Sequence, residues 1–191
     1  MRKPNAKERI LETAGSLFHS RGYSEVGINE IIEKADTAKA SFYQHFPSKE
    51  ALCEAWLETV HQRSADHNQE ILEAPGTPLS KVETCFSELE NFLVDRDFRG
   101  CPYSNTKAVT DQGCEGIADR IRSHKEANRS FFLKICEMEF GIGKRASEIS
   151  DRLFLLYSGA TTESQNLQDT WPVKVARKAA HELFSPEPSS N

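Results

Sequence analysis

Apolar residues recur along this chain at three- and four-residue spacing, the period of a helix with one buried face, and no stretch alternates convincingly as a strand would. Ile10, Leu11, Ala14, Leu17 and Phe18 begin the series, and Gly22 after Ser20 and Arg21 is a helix stop. Ile28, Ile31, Ile32 and Ala35 mark a second, shorter helix. After Asp36, Thr37 and Ala38, a third short helix runs to Phe46. Pro47 ends it, because the residue before a proline is pushed out of the α region. Ser48 is placed to cap a fourth helix, with Glu50 in its first turn where the dipole favours an acid. Leu52, Trp56, Leu57 and Val60 share one side of that helix, which is expected to reach about Leu72.

Pro75-Gly76-Thr77-Pro78 breaks the pattern. A helix from Leu79 to about Val94 carries Val82, Phe86, Leu89 and Leu93, and the stretch from Asp97 to Gly116 reads as irregular. Ile117, Ile121, Phe132 and Ile135 mark a long helix whose apolar side is interrupted by His124 and Asn128. Gly141 and Gly143 precede a helix expected from Ile149 to about Thr170. Its middle, Leu153-Phe154-Leu155-Leu156-Tyr157, is apolar all round, which predicts burial on several sides. Trp171-Pro172 reads as its end, Val173 to Phe184 as a last helix, and residues 185–191 as a disordered tail. The expected fold class is all-α. Three N-terminal helices occupy residues 1–50, a larger helical body occupies residues 51–184, and helix 48–72 links the two.

Composition narrows the class. The 191 residues are 38% hydrophobic and 28% charged, enough for a packed core. The longest apolar run, Leu153 to Tyr157, falls far short of the ~20 residues of a membrane helix. The basic N-terminus, Met1 to Lys7, has no apolar stretch behind it and so does not read as a signal peptide. A soluble, cytoplasmic protein is expected. Five cysteines, at 53, 85, 101, 114 and 136, include no C-x-x-C pair, so neither a disulfide framework nor a zinc site is expected. The net charge of −5 is unevenly spread: residues 1–50 carry 8 Lys/Arg against 7 Asp/Glu, and the remainder 16 against 22. That asymmetry fits a small DNA-contacting module on an acidic body.

Two short helices joined by three residues, the second closed by a proline turn, spell helix-turn-helix. The segment from Ile28 to Leu52, and above all its core Tyr43-Gln44-His45-Phe46-Pro47-Ser48-Lys49-Glu50-Ala51-Leu52, resembles the DNA-binding signature of the TetR/AcrR family of bacterial repressors. The resemblance covers residues from about 7 to 60; beyond them only the helix count and order agree.

The residues support the same reading directly. Phe42 and Phe46, four apart, face inward with Ile28, Ile31 and Phe18. Lys39, Ala40, Ser41 and Tyr43 are left pointing outward near the helix start, where small residues let the backbone approach base edges and Ser and Lys can donate to them. Tyr43 and His45 can donate to phosphate oxygens, and Lys49 lies at a helix N-terminus that already favours an anion. The resemblance assigns base reading to the start of the third helix and phosphate contacts to Tyr43, His45 and Lys49. The expected DNA-binding set is Gly27, Thr37, Lys39, Ala40, Ser41, Tyr43, Gln44, His45 and Lys49. Three positions depart from the family pattern: Asp36 stands for the usual turn glycine, Gly27 for a capping Thr or Ser, and Ala40 for a common glycine.

The body carries twelve of the seventeen aromatics. A further expectation places a ligand pocket among Phe86, Tyr103, His124, Asn128, Phe131, Phe132, Phe154 and Tyr157, with Gln165 and Asn166 as further polar candidates; taken singly, each of these reads as core or surface. The small residues Gly159, Ala160, Ala176, Ala179 and Ala180, flanked by Leu156 and Leu183, suggest a seam between copies. The resemblance implies that the last two helices form a four-helix bundle with a partner. Two modules would then meet adjacent major grooves about 34–36 Å apart on a palindromic operator.

The turn Arg99-Gly100-Cys101-Pro102-Tyr103-Ser104-Asn105 is similar to the Gly-Cys-Pro turn of the LmrA/YxaF-like subset of the family. Cys101 reads as a small filler beneath that turn, since only Arg99 is basic nearby in sequence; a redox role for Cys101 or Cys114 is the alternative. A small helical enzyme is the other competing class. Against it, G-x-S-x-G, H-E-x-x-H, C-x-x-C and Walker A patterns are all missing, and Gly141-Ile142-Gly143-Lys144 lacks the required spacing. No cofactor and no metal are expected. The partners expected are operator DNA, a second copy and a small apolar or aromatic inducer, with repression lifted when that molecule binds.

Overall fold

Helices in this chain start at side chains that take up free N–H groups at Asn5, Ser48 and Thr77. Asn5 accepts from the Glu8 amide at 3.0 Å while Glu8 accepts from the Asn5 amide at 2.8 Å, and this reciprocal cap opens α1 (Ala6–Arg21). Gly22, at φ 97°, closes it with a bond back to Phe18. The computed structural model describes residues 4–110 and 114–184; the tail expected over 185–191 lies outside the described residues. After α1 come α2 (Ile28–Lys34), α3 (Lys39–His45), α4 (Lys49–Glu73), α5 (Pro78–Asp95), α6 (Pro102–Ala108), α7 (Glu115–Phe140), α8 (Lys144–Leu167) and α9 (Trp171–Phe184), and no strand occurs among the described residues. The all-α class is as the sequence predicts.

By packing, the chain forms two compact units, the first being residues up to Ser64 together with Pro102–His124. In the first unit Ile10, Ala14, Phe18, Ile31, Phe42, Leu52 and Leu57 form a closed core. Trp56 packs edge-to-face on Phe18, with ring centroids 5.5 Å apart. Gly15 is needed beside it, because a Cβ there would lie 2.7 Å from Trp56 Cδ1.

The second unit, Ala65–Cys101 with Lys125 onward, packs α5, α8 and α9 with the later parts of α4 and α7. Its core runs from Ile71 and Val82 through Phe86, Leu89, Phe132 and Ile135 to Leu153, Val173 and Ala180. The buried Lys81 ammonium donates to Ile71 O at 2.9 Å and also to Ala74 O, supplying partners for carbonyls at the C-terminal end of α4.

Four local differences from the sequence reading have physical causes. The stretch expected to be irregular contains α6, opened by Pro102, whose fixed φ suits a first helical turn. It follows a turn in which Asp97, Phe98 and Gly100 all take positive φ. Trp171-Pro172 opens α9 instead of closing α8; the stop is Gln168, in the left-handed region at φ 53°. A proline amide in a first turn has no bond to lose. Helix α8 begins at Lys144, five residues before the expected Ile149. Finally, the apolar run in α8 is not buried all round: Leu153 is fully buried but Leu155 is 66% exposed.

The small residues expected at a seam between copies divide by their burial within the chain. Ala160, Ala176 and Ala180 are buried in the chain's own core, where their small size lets α8 and α9 approach each other, so they are not available to a partner. Leu156, Ala179 and Leu183 are half-buried, and Gly159 faces open space.

One ion pair in the second unit makes stability pH-dependent. His67 Nε2 lies 2.6 Å from Glu88 Oε2, and that hydrogen bond, ahead of a weaker one to Glu70, raises the imidazole above its ordinary 6.5. A raised value means that protonation favours the folded state. The stabilisation is therefore complete below 6.5 and lost as pH rises through the folded value. With both side chains more than 40% exposed, the loss should stay below about 1 kcal/mol. Denaturant titrations at pH 5.5 and 8.5 should show this loss in wild type, and His67→Gln should reduce it; an unreduced pH response would remove His67 as its source.

Candidate nucleic-acid interface

The turn between α2 and α3 sets the geometry of the candidate interface. Ala35 ends α2 in the αR region, Asp36 follows at φ 48°, and the Asp36 and Thr37 amides return to Glu33 O and Ile32 O at 3.1 and 3.2 Å. This is the helix-ending arrangement that glycine usually serves, here adopted by an aspartate, one of the few other residues that enter the left-handed region readily. Ala38 then caps α3 through its backbone alone.

Two turns of helix do not hold themselves together in water. Phe42 is fully buried and Phe46 3% exposed, and both belong to the core of the first unit. Their burial turns the remaining positions outward: Lys39, Ala40, Tyr43 and Gln44 are exposed, and Thr37, Ser41 and His45 are half-buried. Tyr43 packs edge-to-face on Phe42, with centroids 5.3 Å apart, which orients its hydroxyl end while leaving it 44% exposed. Gly27 caps α2 without a side-chain bond, and a Cβ there would meet nothing within 4 Å.

Ser48 opens α4, its hydroxyl accepting from the Ala51 amide at 3.0 Å. Lys49 is more engaged than its sequence suggests. Its Nζ sits 4.4 Å over the Tyr23 ring and donates to Ser24 O at 3.4 Å. Burial pulls its pKa below the ordinary lysine value, against the opposing pull of Cys53 and Glu25. Tyr23 carries no motif signal; its own hydroxyl is pushed up to about 12, chiefly by burial. Nearby, Glu30 accepts from Lys34 at 3.0 Å and Arg21 at 2.5 Å, which holds its carboxyl below the ordinary range.

The expected ligand-pocket residues fall in two separate groups. Tyr103 and His124 belong to the first unit, where their rings stack 3.7 Å apart and Tyr103 donates to Leu57 O at 2.7 Å. Phe86, Phe131, Phe132, Phe154, Tyr157 and Asn128 belong to the second. There Tyr157 lies 5.7 Å from Phe86 and 5.6 Å from Phe132 as part of a packed aromatic cluster. Gln165 lies against Gly100, and Asn166 is exposed. A surface groove of about 410 Å³ in that unit is lined instead by Glu83, Lys174, Arg177, Lys178, His181 and Glu182. Among the cysteines, Cys53, Cys85 and Cys136 are buried, and burial pushes each thiol up to about 12. Half-buried Cys101 has a basic neighbour that the sequence hid: Lys125 Nζ lies 3.7 Å from its sulfur.

These features define a helix-turn-helix protein, with a two-turn second helix fixed by its aromatic face and a larger helical remainder. The sequence profile described as "Bacterial regulatory proteins, tetR family" matches residues 10–56. The chain is 31% identical to the HTH-type transcriptional regulator LmrA of Bacillus subtilis over 174 residues, covering 88% of this chain and 91% of that protein. It therefore belongs to the TetR family of transcriptional regulators, which are not enzymes. It is also 38% identical over 63 residues to the transcriptional repressor NemR of Escherichia coli, 31% of this chain and 32% of that protein. The fold matches a TetR regulator from Legionella pneumophila at TM-score 0.86 and 18% identity, covering 97% of this chain and all of that one. It matches reduced NemR at TM-score 0.82 and 20% identity, covering 94% and 97%.

Lys49 yields the direct test of the phosphate assignment. Lys49→Ala should cost about 0.5–1 kcal/mol of stability through the lost Tyr23 contact. It should also lower the slope of log affinity against log salt by about one unit on any DNA. An unchanged slope in that titration would mean that the charge serves Tyr23 and Ser24 alone.

Proposed function

We propose that this chain is a ligand-responsive repressor, cytoplasmic and homodimeric, that holds a palindromic operator and leaves it when a small apolar or aromatic molecule binds. The observation that carries the reading is the outward row Lys39, Ala40, Tyr43 and Gln44 on a helix whose opposite face is locked by Phe42 and Phe46. In this reading Lys39 and Ser41 donate to base edges in the major groove. Thr37, Tyr43, Gln44, His45, Lys49 and the Gly27 amide hold phosphates or flank them. Residues 1–50 are the DNA-binding domain and residues 51–184 the ligand-binding and dimerisation domain. The repressor sense is supported by NemR, a relative named as a repressor.

The inducer is expected to bury apolar surface against the aromatic cluster around Phe86, Phe132 and Tyr157. Because α4, like α7, continues from one unit into the other, it is a covalent route by which such binding reaches the DNA-facing helices. Coupling of this kind is reciprocal: operator must weaken the inducer by the factor by which inducer weakens operator.

The dimer is proposed to use the outer face of the last two helices. Leu155, Leu167, Trp171 and Val175 are each more than 50% exposed there, and open Gly159 lies one turn beyond Leu155. Burying such a row against a second copy removes it from water.

Selection of DNA from a randomised pool tests the reading helix. Wild type should enrich a sequence with two-fold symmetry, and Lys39→Ala or Ser41→Ala should change the enriched bases; a pool that stays random with wild type contradicts the reading. Sedimentation tests the assembly: wild type should be dimeric at micromolar concentration, and Leu155→Glu or Val175→Glu monomeric. A monomeric wild type overturns the proposed dimer.

A further inference from the structure

The turn that aims α3 is braced from outside by one side chain. The returning amides of Asp36 and Thr37 use the carbonyls of Glu33 and Ile32. Two further carbonyls of the turn, those of Ala35 and Asp36, both accept from Arg9 on α1. Arg9 donates from Nε to Ala35 O at 3.0 Å and from a terminal nitrogen to Asp36 O at 2.8 Å. Its other terminal nitrogen reaches Pro4 O at 3.2 Å. A guanidinium is suited to this, because its planar fork presents parallel donors to adjacent acceptors, whereas a lysine ammonium is a single point.

The place of the brace matters. Asp36 stands at φ 48°, a region that L side chains enter at a cost and glycine enters freely. Three residues later α3 begins, so a change in the Asp36 dihedrals swings Lys39, Ala40 and Ser41 away from whatever they face. Arg9 is half-buried, and a donor from each of its three nitrogens is directed at a backbone carbonyl.

We propose that Arg9 is a positioning residue for base recognition: its fork holds the turn in the left-handed conformation that aspartate adopts less readily than glycine, and so fixes the direction of α3. It acts through Asp36 and does not itself contact DNA. The inference rests on α3 being the reading helix. Its test therefore has one readout on DNA and one on the free protein.

Arg9→Met keeps the aliphatic stem and removes the donors; Arg9→Lys keeps the charge and removes the fork. On DNA selected by wild type, both variants should lose about tenfold in affinity, the equivalent of a lost charge-assisted hydrogen bond. Affinity for random DNA and the salt slope should hold in both, so the ratio of selected to random binding falls. A general loss of folded protein would lower both affinities together and leave that ratio unchanged. Asp36→Gly placed in the Arg9→Met chain should recover much of the lost ratio, because glycine needs no brace. In free protein, hydrogen exchange at the Thr37 amide should quicken in Arg9→Met and slow again in the double variant. Full activity of Arg9→Lys, a salt slope lowered by about one unit in Arg9→Met, or unchanged Thr37 exchange would each overturn the proposal.

Discussion

The burial of Phe42 and Phe46 is the constraint on which the DNA-facing half of this protein depends. A helix of seven residues has almost no stability of its own, so α3 exists because its aromatic face is removed from water in the core of the first unit. The same burial decides which residues face outward. Helical geometry leaves Lys39, Ala40, Tyr43 and Gln44 on the far side once positions 42 and 46 are fixed. The surrounding aromatics extend this one anchoring event: Phe18 contacts both Trp56 and Tyr23, and Tyr23 in turn carries the Lys49 ammonium. The candidate contact residues are thus placed by packing, with polar groups at the rim of an apolar anchor.

Local signals made the DNA-binding half legible. Caps, a proline stop and short-range periodicity act within four or five residues, and the matches at Gly22, Phe46–Pro47 and Ser48 follow from that. Long-range consequences were harder to read. The alanines of α8 and α9 suggested a surface for a second copy, yet the same smallness serves the packing of those helices on each other, and periodicity cannot tell which neighbour a small residue admits. Leu155 illustrates the converse, an apolar side chain facing outward within a run that predicted burial.

Some contacts could not be read because their partners are distant in sequence. Tyr23 supports Lys49 from twenty-six positions away, and Lys125 on α7 approaches Cys101 in the turn before α6. The aromatic residues of the body were recognisable as buried, but their division between two units was not, since composition carries no information about which aromatics share a core. A Trp-Pro pair was equally ambiguous: proline is as much at home in a helix's first turn as after its last, and the stop at Gln168 in the left-handed region leaves it to open α9.

The central claim is that residues at the start of α3 read bases in the major groove because buried aromatics hold them there. Methylation interference on DNA enriched by the wild-type protein tests it most directly, since guanine N7 lies in the major groove and adenine N3 in the minor. The account predicts interference at guanine N7 in two patches centred about 34–36 Å apart, with binding indifferent to adenine N3 between them. Interference confined to adenine N3, or absent from every base, would contradict it.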